Sequence, residues 1–190
     1  MGKDKLRRFA ENLTFECFVQ PAFEEAFRRD HPLKGHWHSD FFHNDRPIVL
    51  ELGCGKGGFI SQLACAHPEN NYLGIDITDK VLILAKRKIE AAYQAANRPI
   101  DNVKIMSTDI ERIKGVITAE DEVSRIYINF CNPWSKNGSS HKHRLTYPRQ
   151  LINYREFSRT AARSTSRPMT MTCSATVWST SPLPATTSSG

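Results

Sequence analysis

The chain has 190 residues, 39% of them hydrophobic and 24% charged, with a formal net charge of +6. That is enough chain for one domain with a real core, and its composition is ordinary for a soluble globular protein. No stretch nears the roughly 18 apolar residues of a membrane-spanning helix, and the positive charge is compatible with a polyanionic partner without singling one out.

Residues 1–46 read as a helical or irregular extension. Lys3, Lys5, Arg7 and Arg8 make its start basic, and Phe9, Phe15, Phe18, Phe23 and Phe27 supply aromatics to pack on a main domain. No apolar signal core follows Met1, so a cytoplasmic location is expected. His31, His36, His38 and His43 lie close together, but no carboxylate or thiolate falls at a ligand spacing. They read as solvated or capping histidines, and no metal is expected.

From Pro47 strands alternate with helices. Ile48–Leu52 is a β-branched run that ends in glycines, the pattern of a buried strand, and residues 58–66 suit the helix after it. Tyr72–Asp76 is a second strand. Over 79–96, Val81, Leu82, Leu84, Ala85, Ile89 and Ala92 recur at helical spacing. Val103–Met106 and Arg125–Phe130 are the third and fourth strands. Pro148–Phe157 suits a helix with proline near its first turn. Strands separated by helices predict an α/β fold with a doubly wound parallel sheet over 47–157.

After Phe157 the composition changes. Serine and threonine make up 16 of the 33 residues in 158–190, against 12 of the 157 before them. The tail has no Asp, Glu, Lys, Ile, Phe or Tyr and no evident period. It is expected to be aberrant or disordered, because it cannot bury enough apolar surface to offset its ordering entropy.

The glycine run Glu51-Leu-Gly53-Cys-Gly55-Lys-Gly57-Gly58 sits where a strand turns into a helix. Glycines there let the backbone approach a ligand closely. Gly53, Gly55 and Gly58 also satisfy G-x-G-x-x-G, so a nicotinamide cofactor competes. Two features favour S-adenosyl-L-methionine. Glu51 stands two positions before the first glycine, where a carboxylate suits the cofactor's cationic methionyl end. The run also has the E-x-G-x-G-x-G spacing that resembles the first motif of class I methyltransferases. Asp76, 18 residues beyond Gly58, can accept from ribose hydroxyls or cap the next helix. Asp109, after the third strand, is placed for the adenine edge or for another cap. Five cysteines at 17, 54, 65, 131 and 173 form no C-x-x-C pair, which predicts reduced thiols and no zinc site.

The block from Tyr127 to Thr146 puts Asn132, Pro133 and Trp134 at the carboxyl edge of the sheet, followed by Lys136, His141, Lys142, His143 and Arg144. An aromatic beside clustered cations suits a nucleotide base with flanking phosphates, and a solvated basic loop is the bland alternative.

Together these blocks resemble the tRNA (guanine-N7)-methyltransferase family over roughly residues 1–157. Lys5-Leu-Arg-Arg-Phe-Ala-Glu11 and Phe18-Val-Gln-Pro-Ala-Phe-Glu-Glu25 look like one branch of it. The family's F-x-D-P-W-P-K and H-x-K-R-R-L-T correspond to Phe130-Cys-Asn132-Pro-Trp134-Ser-Lys136 and His141-Lys-His-Arg144-Leu-Thr146. The second block is one residue shorter here, Ser135 replaces proline, and Asn132 replaces aspartate, keeping an acceptor but losing the charge. The resemblance implies a class I methyltransferase fold, cofactor contacts at Glu51, Asp76, Asp109 and Asn132, and a tRNA contact at Lys136. The alternatives are a non-catalytic tRNA-binding remnant and a small-molecule methyltransferase. No catalytic residue is assigned, because guanine N7 carries no proton and needs positioning rather than a base.

The family continues with a strand of type G-E-I-H-F-K-T-D. Shifted by one base from Phe157 onward, the codons of this chain permit L-A-D-G-G-E-I-H-F-K-T-D-D-D-D-L-F. Met169-Thr170 and Met171-Thr172 each force Asp in that frame, because methionine has one codon. The tail therefore reads as a frameshift, and methyl transfer by this chain is expected to be impaired.

Overall fold

A run of five buried residues, Ile48–Leu52, forms strand β2 at the centre of a parallel sheet. The computed structural model describes residues 18–19, 30–129, 144–164 and 170–174, with 18–19, 159–164 and 170–174 described by backbone alone. In chain order the other elements are β1 (Phe18–Val19), α1 (Gly58–Ala66), β3 (Asn71–Asp76), α2 (Asp79–Ala95), β4 (Val103–Ser107), β5 (Val123–Asn129), α3 (Pro148–Ser164) and β6 (Thr170–Ser174). Among the described residues the six strands form one sheet in the order β1-β4-β3-β2-β5-β6, every pair parallel. The chain winds outward from β2 through β3 to β4, then crosses back to β5 on the other side of β2. This is the doubly wound arrangement of a Rossmann-like fold, and the reversal of direction opens a crevice at the carboxyl ends of β2 and β5.

Both faces of the sheet are covered, which is why its strands read as continuous apolar runs. On one face α1 and α2 bury Val49, Ile60, Ala64, Tyr72, Leu82, Ala85, Ile89 and Ile105. On the other, Leu50, Leu52, Leu73, Ile75, Met106 and Ile126 pack against Trp37, Phe42, Tyr154 and Phe157. Burying each large aliphatic or aromatic side chain stabilises the fold by about 2 kcal/mol. No helix among the described residues is long and apolar enough to cross a membrane.

The second core recruits the lead-in segment. Trp37 and Phe42 belong to one turn of π-helix, Trp37–Phe42. Trp37 Nε1 donates to the Val116 carbonyl at 2.9 Å. The buried carboxylate of Asp121 accepts from the backbone N–H groups of Thr118 (2.8 Å), Gly35 (3.1 Å) and Trp37 (3.4 Å). Burial pushes the Asp121 carboxyl above its ordinary range, while those three donors pull it back. One side chain thus ties residues 35–37 to the turn before β5.

Strand and helix limits follow the sequence reading closely from Ile48 to Ser107. The larger differences lie later. The helix expected to end at Phe157 runs to Ser164, because alanines and arginines carry it on and neither glycine nor proline interrupts it before Pro168. Thr170–Ser174, read from composition as patternless, pairs with β5 in the register Arg125↔Thr170 to Asn129↔Ser174. The backbone groups on the free edge of β5 need partners whatever side chains those partners carry.

At the start of α1, Gly57 has a φ of +68°, and a Cβ there would lie 2.6 Å from Ala85 Cβ and 2.7 Å from Ala85 Cα. Helices α1 and α2 touch through this missing side chain. Gly57→Ala is expected to cost about 3 kcal/mol, combining left-handed strain with overpacking. Urea unfolding checks this, and an unchanged midpoint would mean the two helices can separate at no cost.

Candidate functional site

Strand alternation puts Glu51 on the same face as Val49, at the end of β2, where α1 closes over it. Its carboxylate is buried, with only 4% of the residue exposed. Asn129 Nδ2, at the end of β5, donates to Glu51 Oε1 at 3.3 Å. Glu51 Oε2 has no hydrogen-bond partner among the described residues. Burial pushes the carboxyl up to about 7, Asn129 and the Ile60 backbone N–H pull it down, and the Asp76 charge pushes it up again. Burial and the charges of Glu51 and Asp76 likewise raise the neighbouring Cys54 thiol. A buried carboxyl with a spare oxygen is a poor structural element and a ready receptor for a cation or a donor.

The glycine loop is laced to the end of β3. Gly53 N and Cys54 N both donate to the Ile75 carbonyl, at 2.8 and 3.1 Å. Gly55 N donates to Asp76 Oδ2 at 2.9 Å, and Thr78 N donates to Asp76 Oδ1 at 2.8 Å. Asp76 therefore fixes both the loop before α1 and the entry to α2, and each oxygen keeps a lone pair for a further donor. Thr108 N donates to the Asp76 carbonyl at 3.1 Å, which brings the β4 exit to the same point. Gly55 has a φ of +51°, and a Cβ there would meet no atom within 4 Å. Open space lies beside the loop at that position.

Asp109 caps the short 3-10 helix Ile110–Gly115, its Oδ1 accepting from Glu111 N at 2.9 Å. The capping role is thus present in the structure, and a carboxylate has lone pairs to accept a further donor beside it. Beside it, Ser107 Oγ donates to Asp79 at the first turn of α2. Ile77, next to Asp76, is 65% exposed at the same edge, an apolar surface on offer.

The segment after the second block folds back over the glycine loop. Leu145 Cδ1 would lie 3.2 Å from a Cβ on Gly53, and Tyr154 Oη donates to the Leu145 carbonyl at 3.1 Å. Arg144 is thereby held close to the loop. The structure brings Glu51, Gly53, Gly55, Asp76, Asp109 and Arg144 to one edge of the sheet. Asn132, Trp134 and Lys136 lie outside the described residues. Sequence reading missed Asn129, whose signal is a polar residue two positions after Tyr127 on the same strand face, and Ile77, an isoleucine outside the helical pattern of α2. Among the described residues, no group of three or more His, Cys, Asp and Glu side chains could hold a metal ion.

Residues 45–159 match the family model described as "Putative methyltransferase". A tRNA (guanine-N(7)-)-methyltransferase of Clostridium perfringens is 52% identical over 124 residues, covering 65% of this chain and 56% of the relative. The protein of the same name from Clostridium beijerinckii is 56% identical over 124 residues with the same coverage. That from Christiangramia forsetii is 44% identical over 154 residues, 81% of this chain and 65% of the relative. The chain thus spans a little over half the length of the Clostridium relatives and about two thirds of the Christiangramia one.

The Glu51 carboxyl has a consequence that pH exposes. Its folded value lies near 7, against an ordinary value of 4.5, so the folded state prefers the protonated form. The ligand-free chain should therefore lose stability relative to Glu51→Gln as pH rises from about 4.5 through about 7, by about 3 kcal/mol in all. Urea midpoints of both proteins at pH 4.5 and 8 measure the difference. A constant difference would place the carboxylate in contact with water.

Proposed function

Because the chain belongs to the methyltransferase family whose model covers residues 45–159, we propose that it transfers methyl from S-adenosyl-L-methionine to N7 of a guanosine in tRNA. The observation that carries the cofactor part is Glu51 Oε2, buried without a partner among the described residues, at the end of the strand that leads into the glycine loop. A nicotinamide reading explains the glycines, but it would set an anionic pyrophosphate against the loop, where a buried carboxylate is unfavourable. The relatives' names and the Trp134–Arg144 block support the RNA part.

S-adenosyl-L-methionine, when bound, supplies a methyl group already activated on a sulfonium. Glu51 receives the cationic methionyl end, which draws its carboxyl back to the charged form and releases a proton. Gly53 and Gly55 leave room for close backbone approach. Asp76 would offer its remaining lone pairs to the ribose hydroxyls, Asp109 would serve the adenine edge, and Asn132 would supply an acceptor. Trp134 would stack on a base, while Lys136 and Arg144 would hold flanking phosphates. Guanine N7 presents an unprotonated lone pair, so the chain's task is alignment rather than proton removal. A cytoplasmic location, with access to tRNA, accords with this reading.

Residues 1–46 then form an N-terminal extension to a methyltransferase core at 47–157, and 158–190 a segment translated out of frame. The family match ends at residue 159, two positions past the change in composition, which supports that division. Restoring the frame after Phe157 should raise both the melting temperature and the rate of tRNA methylation. Equal rates and equal melts would make the segment a tolerated one.

The direct test is transfer of labelled methyl to bulk tRNA, with the label mapped to guanine N7. Incorporation elsewhere, or into small molecules alone, would refute the reading. Gly55→Val should abolish cofactor binding in calorimetry. It should cost the ligand-free fold only about 1–2 kcal/mol, the strain of a left-handed residue facing open space. Unchanged binding would leave the glycine loop a structural turn.

A further inference from the structure

We infer that Lys56 and Lys88, where α1 and α2 meet beside the glycine loop, form a phosphate-binding surface for the RNA substrate, with Lys80 extending it along α2. The inference rests on the proposed tRNA substrate and adds a second place where that substrate is gripped. It lies on the α1–α2 face of the sheet, whereas Leu145 and the Arg144 segment pack on the other face.

The argument starts from which lysines have partners. Seven lysines fall among the described residues. Lys34 is paired with Asp30 at 2.8 Å, Lys114 with Glu156 at 2.7 Å and Lys86 with Glu90 at 4.0 Å. Lys104 lies over the Phe41 ring, 4.7 Å from its centroid. Among the described residues the remaining three, Lys56, Lys80 and Lys88, make no ion pair or hydrogen bond. All three are exposed, and they are not scattered. Lys88 Nζ lies 3.3 Å from where a Cβ on Gly58 would stand, and Lys56 is two residues before that glycine. Lys80 is on the first turn of α2, eight residues or about 12 Å along the helix from Lys88.

The place where they gather makes the clustering costly. Gly58 opens α1, whose N-terminal end carries partial positive charge. No side chain caps Gly57, and the first turn of α1 contains no acidic residue. An ammonium group and a second lysine therefore stand beside a like-charged helix end, and among the described residues neither has a carboxylate partner of its own. Elsewhere in the fold lysines find partners, so this cluster of unpaired lysines points to an anion supplied from outside. A polyanion that crosses the carboxyl edge, touching Lys88 and Lys56 on one face and Arg144 on the other, would lie over the open space at Gly55. RNA phosphates fit this spacing of separate cations better than one small anion would, because Lys80 stands a turn and more from Lys88.

The experiment measures tRNA binding by the full chain across a salt series, with Lys56→Ala, Lys88→Ala, the double variant, and Lys34→Ala as a paired-lysine control. Each of the first two should weaken binding about tenfold at roughly 0.1 M salt and lower the slope of log affinity against log salt by about one, with the double variant losing about two. Lys34→Ala should match the parent, and cofactor affinity measured by calorimetry should stay constant throughout. If the parent binds tRNA and the variants keep its affinity and slope, the inference falls and the proposed function stands. If cofactor affinity drops while the salt slope holds, the lysines serve the cofactor's own carboxylate and the inference again falls. If the parent binds no tRNA at any salt, both readings fall together.

Discussion

The end of β3 holds the site together. The Ile75 carbonyl receives two donors from the glycine loop, and Asp76 receives Gly55 and Thr78 through its side chain and Thr108 through its carbonyl. Three loops, leaving β2, β3 and β4, are thereby fixed to two consecutive residues. Parallel strands make this possible, because all their carboxyl ends lie on one edge. An oxygen that fixes the protein's own backbone still has a lone pair to offer, so the group that builds the pocket also lines it.

Glu51 shows the opposite economy. It contributes little to the empty fold, since burial resists its charge and one oxygen has nothing to bind. Removing a carboxylate from water is costly unless a partner meets it. The deficit becomes useful when a cation arrives, because binding then relieves a state the fold itself holds unfavourable. Asn129 makes the arrangement tolerable by occupying Oε1 from the next strand. The carboxylate, the glycine opening and the Asp76 anchor thus serve one crevice by different means: a waiting charge, empty volume and rigid backbone.

The central sheet was legible because its strands are short apolar runs and its helices carry apolar residues at 3.6 spacing. Helix α1 was found at its observed limits, since the glycine run ends at its first residue, Gly58, and His67-Pro68 follow it. Glu51, Gly53, Gly55 and Asp76 could be proposed from the sequence because they fall at strand ends, and the structure brings them to one edge of the sheet. Other features left weaker traces. The two 3-10 turns after β4 are too short to show a period. Asp121 carries no signal in the sequence, and only the fold reveals that it gathers donors from residues 35, 37 and 118. The extension of α3 and the strand at Thr170–Ser174 escaped a reading based on apolar pattern, because propagation and edge pairing depend on backbone hydrogen bonds. Asn129 escaped because its value lies in a carboxylate 78 residues away.

The Asp121 tie gives the lead-in segment a particular place in the hierarchy of local openings. Its three N–H partners come from two stretches separated by some eighty residues, and all three converge on one carboxylate. Trp37 is fully buried against the same region. The Trp37 amide cannot reach solvent by local fraying alone, since its release requires the tryptophan to leave the core. In hydrogen exchange that amide would then open with the domain's own core, a protection that a peripheral arm would not show.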